Sequence, residues 1–360
     1  MLQKSASMEE FVSDRVAEAQ AAAEEASLTY VSDAEPGIRR KSSDKGFAYV
    51  RPNGKPVSDK ETLARIAAVV IPPAWTDVWI CPDSDGHIQA TGRDLRGRKQ
   101  YRYHQRWSES RDGVKYSSLV AFARSLPAIR ARIDSDLRKR ELPRERVVAS
   151  VIWLLDNTMI RVGNAVYARD NKSFGLTTLR SRHVTVEGAK LRFTFKGKSG
   201  KEWKLKLIDQ RMARIVRSIQ ELPGQHLFQY IGEDGERRVV RSQDVNAYLR
   251  EAGTDFSSKH FRTWGGTVRA LTIFAQTPLP ETKSGMARAM NAAIDEVARR
   301  LGNTRSVCRK CYIHPEVIVA WAEGRLAREL EAVKKARRKP LEGLDDEEML
   351  VLNWLTAAGK

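Results

Sequence analysis

Three cysteines in 360 residues are too few, and of the wrong parity, for a disulfide framework, so the fold must rest on a packed core and the expected compartment is reducing. No apolar run approaches the roughly 18 residues needed to span a bilayer. The first residues, MLQKSASMEEFVSDRVAEAQAAAEEAS, lack the apolar centre of a signal peptide. A GxxxxGK[ST] phosphate loop is also missing: the GKS at 197–199 has Arg192 where the first glycine would stand, which excludes a motor of that type. Carboxylates paired for a divalent ion are scarce too. Asp83 and Asp85 sit in a turn signal, and the DDEE at 345–348 reads as a solvated face. No internal repeat of the solenoid kind is present. Neither a metal nor a cofactor is expected.

Positive charge is abundant. Lys and Arg total 63 against 45 Asp and Glu, leaving a formal charge of +18. Such an excess points to a polyanionic partner, with a merely soluble basic protein as the bland alternative. A membrane surface is the other polyanion, but no apolar run is long enough to span a bilayer. The expectation is a cytoplasmic protein close to nucleic acid. With 41% hydrophobic residues the chain can bury a real core, and its length suits two domains.

Texture along the chain divides it further. Residues 1–33, rich in Ala, Glu and Ser, read as an N-terminal arm. From 34 to 110, GFAYVRPNGKPV and VWICPDSDGHIQATGRD alternate around PNG and DSDG turns, with a short amphipathic helix between them closed by Pro72 and Pro73. This is a small β-rich module. Residues 111–118 are expected as a linker. From 119 to 330 the pattern is mainly helical, interrupted by HVTVEGAKLRFTFKGKSGKEWKLKL, which alternates with period two and reads as three antiparallel strands. Residues 331–360 look like an appended helical tail. The fold class is α+β: a β-rich N-terminal domain and a larger, mainly α domain with one small antiparallel sheet.

Several residues could carry chemistry. Arg161, in MIRVGN, is either paired at the end of an apolar helix or held out to grip a phosphate through its planar fork. Arg262, in SSKHFRTWGG, poses the same choice, with Lys259 three residues earlier on the same helical face. Lys198, in the glycine-rich turn FKGKSGK, is a solvated edge charge or a cation free to approach a leaving group. The stretch LGNTRSVCRKCYIHPEV at 301–317 offers Cys308, Cys311 and His314 at a spacing suited to zinc. A structural zinc site needs a fourth ligand, and Cys81 lies far away in the N-terminal module, so both cysteines read as small buried hydrophobes. Tyr312 alone would be a core aromatic. Beside two arginines and two lysines it becomes a candidate nucleophile for a phosphodiester.

The order of these motifs resembles the active-site set of the type IB DNA topoisomerases, in their compact poxvirus-like and bacterial form. Arg161 in IRVGN, Lys198 in FKGKSG, Lys259 and Arg262 in SSKHFRTWG, and Tyr312 in VCRKCYIHP follow that family's sequence order. The segment GRDLRGRKQYRYH, with Arg98, Lys99, Gln100, Tyr101 and Tyr103, is similar to its DNA-contacting segment. Coverage is roughly 34–330. The resemblance implies a β-rich domain and a helical catalytic domain closing on duplex DNA as a monomeric clamp. It also implies relaxation of supercoils through a transient nick and a 3′-phosphotyrosyl bond, without ATP or an obligatory metal, in a nucleoid-associated cytoplasmic protein. One departure stands out. Many members carry histidine nine residues before the tyrosine, where this chain has Asn303, which can donate a hydrogen bond but cannot act as a base.

Two rivals remain at this level. A tyrosine recombinase shares the chemistry but places histidine where Lys259 stands, and a silent DNA-binding or architectural protein would satisfy the charge alone. Binding dominated by phosphate contacts should show log K falling against log salt with a slope of about −0.9 for each phosphate neutralised. A titration of duplex affinity across salt concentrations checks this, and a flat response would contradict the electrostatic reading.

Overall fold

The computed structural model describes residues 16, 19–43, 46–253, 256–336 and 339–358. The chain divides into two units, Met1–Tyr116 and Ser117–Lys360.

In the first unit a helix at 19–25 (α1) precedes β1 (Ile38–Ser43), β2 (Gly46–Val50), α2 (Lys60–Ala68), β3 (Thr76–Ile80), β4 (Ile88–Arg93) and β5 (Lys99–Tyr103). The strands form one antiparallel sheet of order β2-β1-β3-β4-β5. Asp59 caps α2 by accepting the Thr62 N–H at 2.9 Å, and Ile66 of that helix packs on Ile38, Val78, Ile80 and Ala90 of the sheet. The described part of the expected arm belongs to this fold. Ala23 and Leu28 pack on Trp107, Tyr30 stacks on His87, and the Val31 N–H donates to His87 Nδ1. The apolar residues scattered among Ala and Glu are what dock it. Residues 1–15, 17 and 18 of that arm lie outside the described residues.

The second unit opens within α3 (Gln105–Leu137), which contains the boundary itself. Residues 111–118, expected as a linker, are therefore helical. Their polar composition marks an exposed helix face as readily as a loop. Then come α4 (Arg144–Thr158), α5 (Ala165–Asn171), β6 (Val184–Glu187), β7 (Lys190–Lys196) and β8 (Glu202–Ile208), the last three forming the expected sheet in order β6-β7-β8. After α6 (Gln210–Glu221) a two-stranded ribbon interrupts a stretch expected to be helical: β9 (Gln229–Ile231) and β10 (Arg237–Val239). Its turn, GEDGE, places Gly235 at φ +76°, but strands of three residues give too little alternation to register. The remainder is helical: α7 (Ser242–Glu251), α8 (Ser258–Gln276), α9 (Lys283–Leu301), α10 (Arg305–Cys311), α11 (Pro315–Ala322), α12 (Leu326–Lys335) and α13 (Asp346–Ala358).

The expected tail is not appended. Trp354 is buried and donates to Glu329 Oε2 at 2.9 Å, while Glu348, in the supposed solvated face, is only 6% exposed. Glu348 accepts two hydrogen bonds from Arg130 at 2.7 and 2.8 Å and one from Trp264 Nε1 at 2.9 Å. Arg130 also grips Asp156, so α3, α4, α8 and α13 meet at one ion network. Burial would raise the Glu348 carboxyl, but Arg130 and Trp264 outweigh it and hold the group below the usual glutamate range. Its contribution to stability is therefore full above that ordinary range and is lost as pH falls through the lowered native value. Glu348→Ala, which leaves Arg130 paired with Asp156 but takes the acceptor from the buried Trp264 N–H, should cost about 1–3 kcal/mol in urea unfolding at neutral pH. A loss below about 0.5 kcal/mol would show the network to be dispensable.

Candidate active site

Four of the residues singled out in the sequence come together in the second unit. Arg161 is held by the backbone that follows α4. That helix ends at Met159 in the left-handed region (φ 58°), so Arg161 lies past the last turn, in an extended segment. The segment rests on residues 175–178: the Leu176 N–H donates to the Arg161 carbonyl at 2.8 Å and the Thr177 N–H to Val162 at 2.7 Å. A Cβ on Gly175 would lie 2.5 Å from the Arg161 carbonyl oxygen, so glycine is what permits the approach.

Arg262 and Tyr312 meet across α8. Arg262 is 4% exposed and donates through Nη2 to the Leu301 carbonyl at 2.8 Å, while its Nε and Nη1 are buried without a partner among the described residues. One turn on, a Cβ at Gly266 would fall 2.5 Å from the Tyr312 carbonyl oxygen. The Thr267 hydroxyl donates to that carbonyl at 3.5 Å and accepts the His314 N–H at 3.1 Å. With its backbone so fixed, Tyr312 lays its ring over the Arg262 guanidinium, 4.9 Å from centroid to Cζ. Burial, and then the like charge of Arg161, push the Arg262 guanidinium down. Burial would raise the Tyr312 phenol, but the charges of Arg262 and Arg161 outweigh it and hold the phenol below its ordinary value.

Asn303 follows the C-terminus of α9. Gly302 ends that helix at φ +60°, and Asn303, 5% exposed, donates its N–H to Ala298 at 2.8 Å. Its Oδ1 accepts from Arg161 Nη2, and its Nδ2 is buried without a partner among the described residues. Three successive carbonyls here each face a different cation: Leu301 accepts from Arg262, Gly302 from Arg161 Nη1 at 3.5 Å, and Asn303 from Lys201 Nζ. The C-terminus of a helix carries partial negative charge, which suits this gathering.

Lys198 and Lys259 are not drawn in. Lys198 is exposed at the tip between β7 and β8, and Lys259 is exposed on the first turn of α8. Neither ammonium makes a hydrogen bond or ion pair with a described residue. The hairpin lysine that does reach the cluster is Lys201, not singled out in the sequence, where spacing alone does not say which lysine of GKSGK turns inward. Trp203 carries no motif signal in the sequence. A Cβ at Gly197 would lie 2.7 Å from its ring and one at Gly302 2.5 Å, so this indole is wedged between the hairpin and the end of α9.

Cys308 is buried, and burial raises its thiol to about 12. His314 caps α11, its Nδ1 accepting the Glu316 N–H at 3.2 Å, and burial lowers the ring to about 4. That nitrogen is committed to the helix end.

In the first unit, Arg98, Lys99, Gln100, Tyr101 and Tyr103 lie on β5, an edge strand, and the turn before it. Tyr101 and Tyr103 are exposed on one face and stack at 5.8 Å, and Lys99 pairs with Asp33 at 2.6 Å. Arg98 and Gln100 both donate to Asp94, at 2.8 and 3.0 Å.

A family model described as the catalytic core of eukaryotic DNA topoisomerase I matches residues 104–339, and one described as the N-terminal domain of bacterial DNA topoisomerase IB matches residues 46–94. Among curated relatives, the DNA topoisomerase 1B of Acanthamoeba polyphaga mimivirus is 33% identical over 283 residues, covering 76% of this chain and 84% of its own length. The DNA topoisomerase 1B of vaccinia virus (strain Copenhagen) is 23% identical over 280 residues, 73% of this chain and 83% of that protein. With a catalytic-core match over more than half its length and a relative of this identity and coverage, the chain belongs to the type IB DNA topoisomerases.

Proposed function

We propose that Tyr312 carries the DNA-relaxing activity of this topoisomerase, by forming a transient 3′-phosphotyrosyl bond in one strand of duplex DNA. The observation that supports this most is the set of buried donors beside the phenol. Arg262 Nε and Nη1 and Asn303 Nδ2 make no hydrogen bond of good geometry to a described residue, Arg262 having, beyond its bond to Leu301, only its electrostatic interaction with the Tyr312 phenol, and a bound anion would satisfy them. A scissile phosphate does so. Its nonbridging oxygens take hydrogen bonds from Arg161, Arg262 and Asn303, which strengthen as negative charge gathers there in the transition state.

In the cleavage step the Tyr312 oxygen bonds to phosphorus as the bond to the 5′ oxygen breaks. The phenolic proton leaves to solvent, aided by the arginine charges that acidify it. The departing 5′ oxygen takes a proton from Lys198 or Lys259, both exposed cations free to move. The arginines are poor donors for this step because guanidinium holds its proton. The tyrosyl ester conserves the energy of the phosphodiester, so the reaction needs no ATP, and resealing is the reverse step. On this reading Arg98, Lys99, Gln100, Tyr101 and Tyr103 contact the duplex, and the protein works as a monomer on nucleoid DNA in the cytoplasm.

Plasmid relaxation in EDTA without ATP should proceed with the wild type. Tyr312→Phe should bind DNA nearly as well yet neither relax plasmid nor leave a detergent-trapped adduct, and an adduct from the Phe variant would remove Tyr312 from this role. Lys198→Ala and Lys259→Ala should cleave an ordinary substrate about 10²- to 10⁴-fold more slowly. Both should recover most of that loss when sulfur replaces the bridging 5′ oxygen, since thiolate leaves without a proton. Equal impairment on both substrates would reassign the lysines to binding.

A further inference from the structure

Lys201 is the cation of the hairpin that touches the cluster, and nothing in the chemistry above uses it. Its Nζ donates to the backbone carbonyl of Asn303. Its own carbonyl accepts the Gly197 N–H at 2.8 Å, which closes the tip from which Lys198 projects. One residue thus ties the hairpin tip at its base and the Asn303 peptide at the end of its side chain. Trp203 provides the apolar half of the same joint, lodged between Gly197 and Gly302. The Asn303 side chain is held separately, through Oδ1, by Arg161.

We infer that Lys201 is a positioning residue for cleavage, holding Asn303 so that its unpartnered Nδ2 faces the phosphate. The inference rests on the role proposed for Tyr312 and Asn303. Two constraints are needed to aim an amide: Arg161 fixes its oxygen and Lys201 fixes the peptide that carries it. With Lys201 absent, Asn303 keeps its helix-end hydrogen bond to Ala298 but loses the tether to the hairpin. An amide displaced by a fraction of an ångström still fits its pocket yet donates poorly in the transition state. Lys201 does not supply the leaving-group proton on this account, because its ammonium is engaged at the Asn303 carbonyl.

Single-turnover cleavage under saturating DNA separates the possibilities. Lys201→Ala should slow cleavage about ten- to a hundredfold, equally on oxygen and sulfur substrates, with DNA affinity and melting temperature close to wild type. Lys201→Arg, which can still reach a carbonyl, should restore most of the rate. In an Asn303→Ala background, Lys201→Ala should add less than about threefold, because the two positions share one path. Four results would overturn the proposal: a wild-type rate for Lys201→Ala, recovery on the sulfur substrate, a full additive loss in the double variant, or a lowered melting temperature with no rescue by arginine. A wild-type adduct mapping away from Tyr312 would instead remove the underlying reading, and would do so without any Lys201 variant.

Discussion

Arg262 is buried with two of its donor groups unpaired, and the rest of the catalytic unit is organised around that deficit. A guanidinium in this position is destabilising, by about 1–3 kcal/mol for each donor left without an acceptor. Folding tolerates it because the carbonyl of Leu301 takes one N–H and the Tyr312 ring covers the cation's face. Neither partner carries a formal negative charge. The site is therefore cationic, and on the proposed reading a phosphate with several acceptor oxygens would pair these donors.

The end of α9 is where this charge is managed. Leu301, Gly302 and Asn303 turn consecutive carbonyls toward Arg262, Arg161 and Lys201, so the negative pole of the helix offsets three positive charges without neutralising them. Gly302 allows the chain to turn there, and its missing side chain leaves room for Trp203. On the opposite side, Trp264, two residues beyond Arg262, is anchored through Glu348 to Arg130. The helix that carries Arg262 is thus held at its back by a satisfied buried ion network, while its front presents an unsatisfied one. Stability gained at the first offsets the cost of the buried donors at the second.

Much of this was legible in the sequence, but unevenly. The three-stranded sheet declared itself through strict alternation in KLRFTFK and EWKLKLI, and α2 through its amphipathic pattern and closing prolines. Arg161, Arg262, Asn303 and Tyr312 could be named from their motif order. Lys201 was not legible in the sequence, because it shares one glycine-rich turn with Lys198 and spacing alone does not say which lysine faces inward. The C-terminal residues misled for a physical reason. DDEE looks solvated until Arg130 and Trp264, more than 80 positions away, supply Glu348 with partners. The zinc spacing of Cys308, Cys311 and His314 misleads likewise, since His314 spends its Nδ1 on the cap of α11.

The central claim is that Tyr312, set against an arginine awaiting an anion, is the atom-level point of attachment to DNA. The most direct measurement is to trap the wild-type protein on a nicked suicide duplex, digest the adduct and sequence the nucleotide-bearing peptide by mass spectrometry. The account predicts one peptide, carrying the 3′ phosphate on Tyr312. A 5′ linkage, or a nucleotide on any other residue, would contradict it.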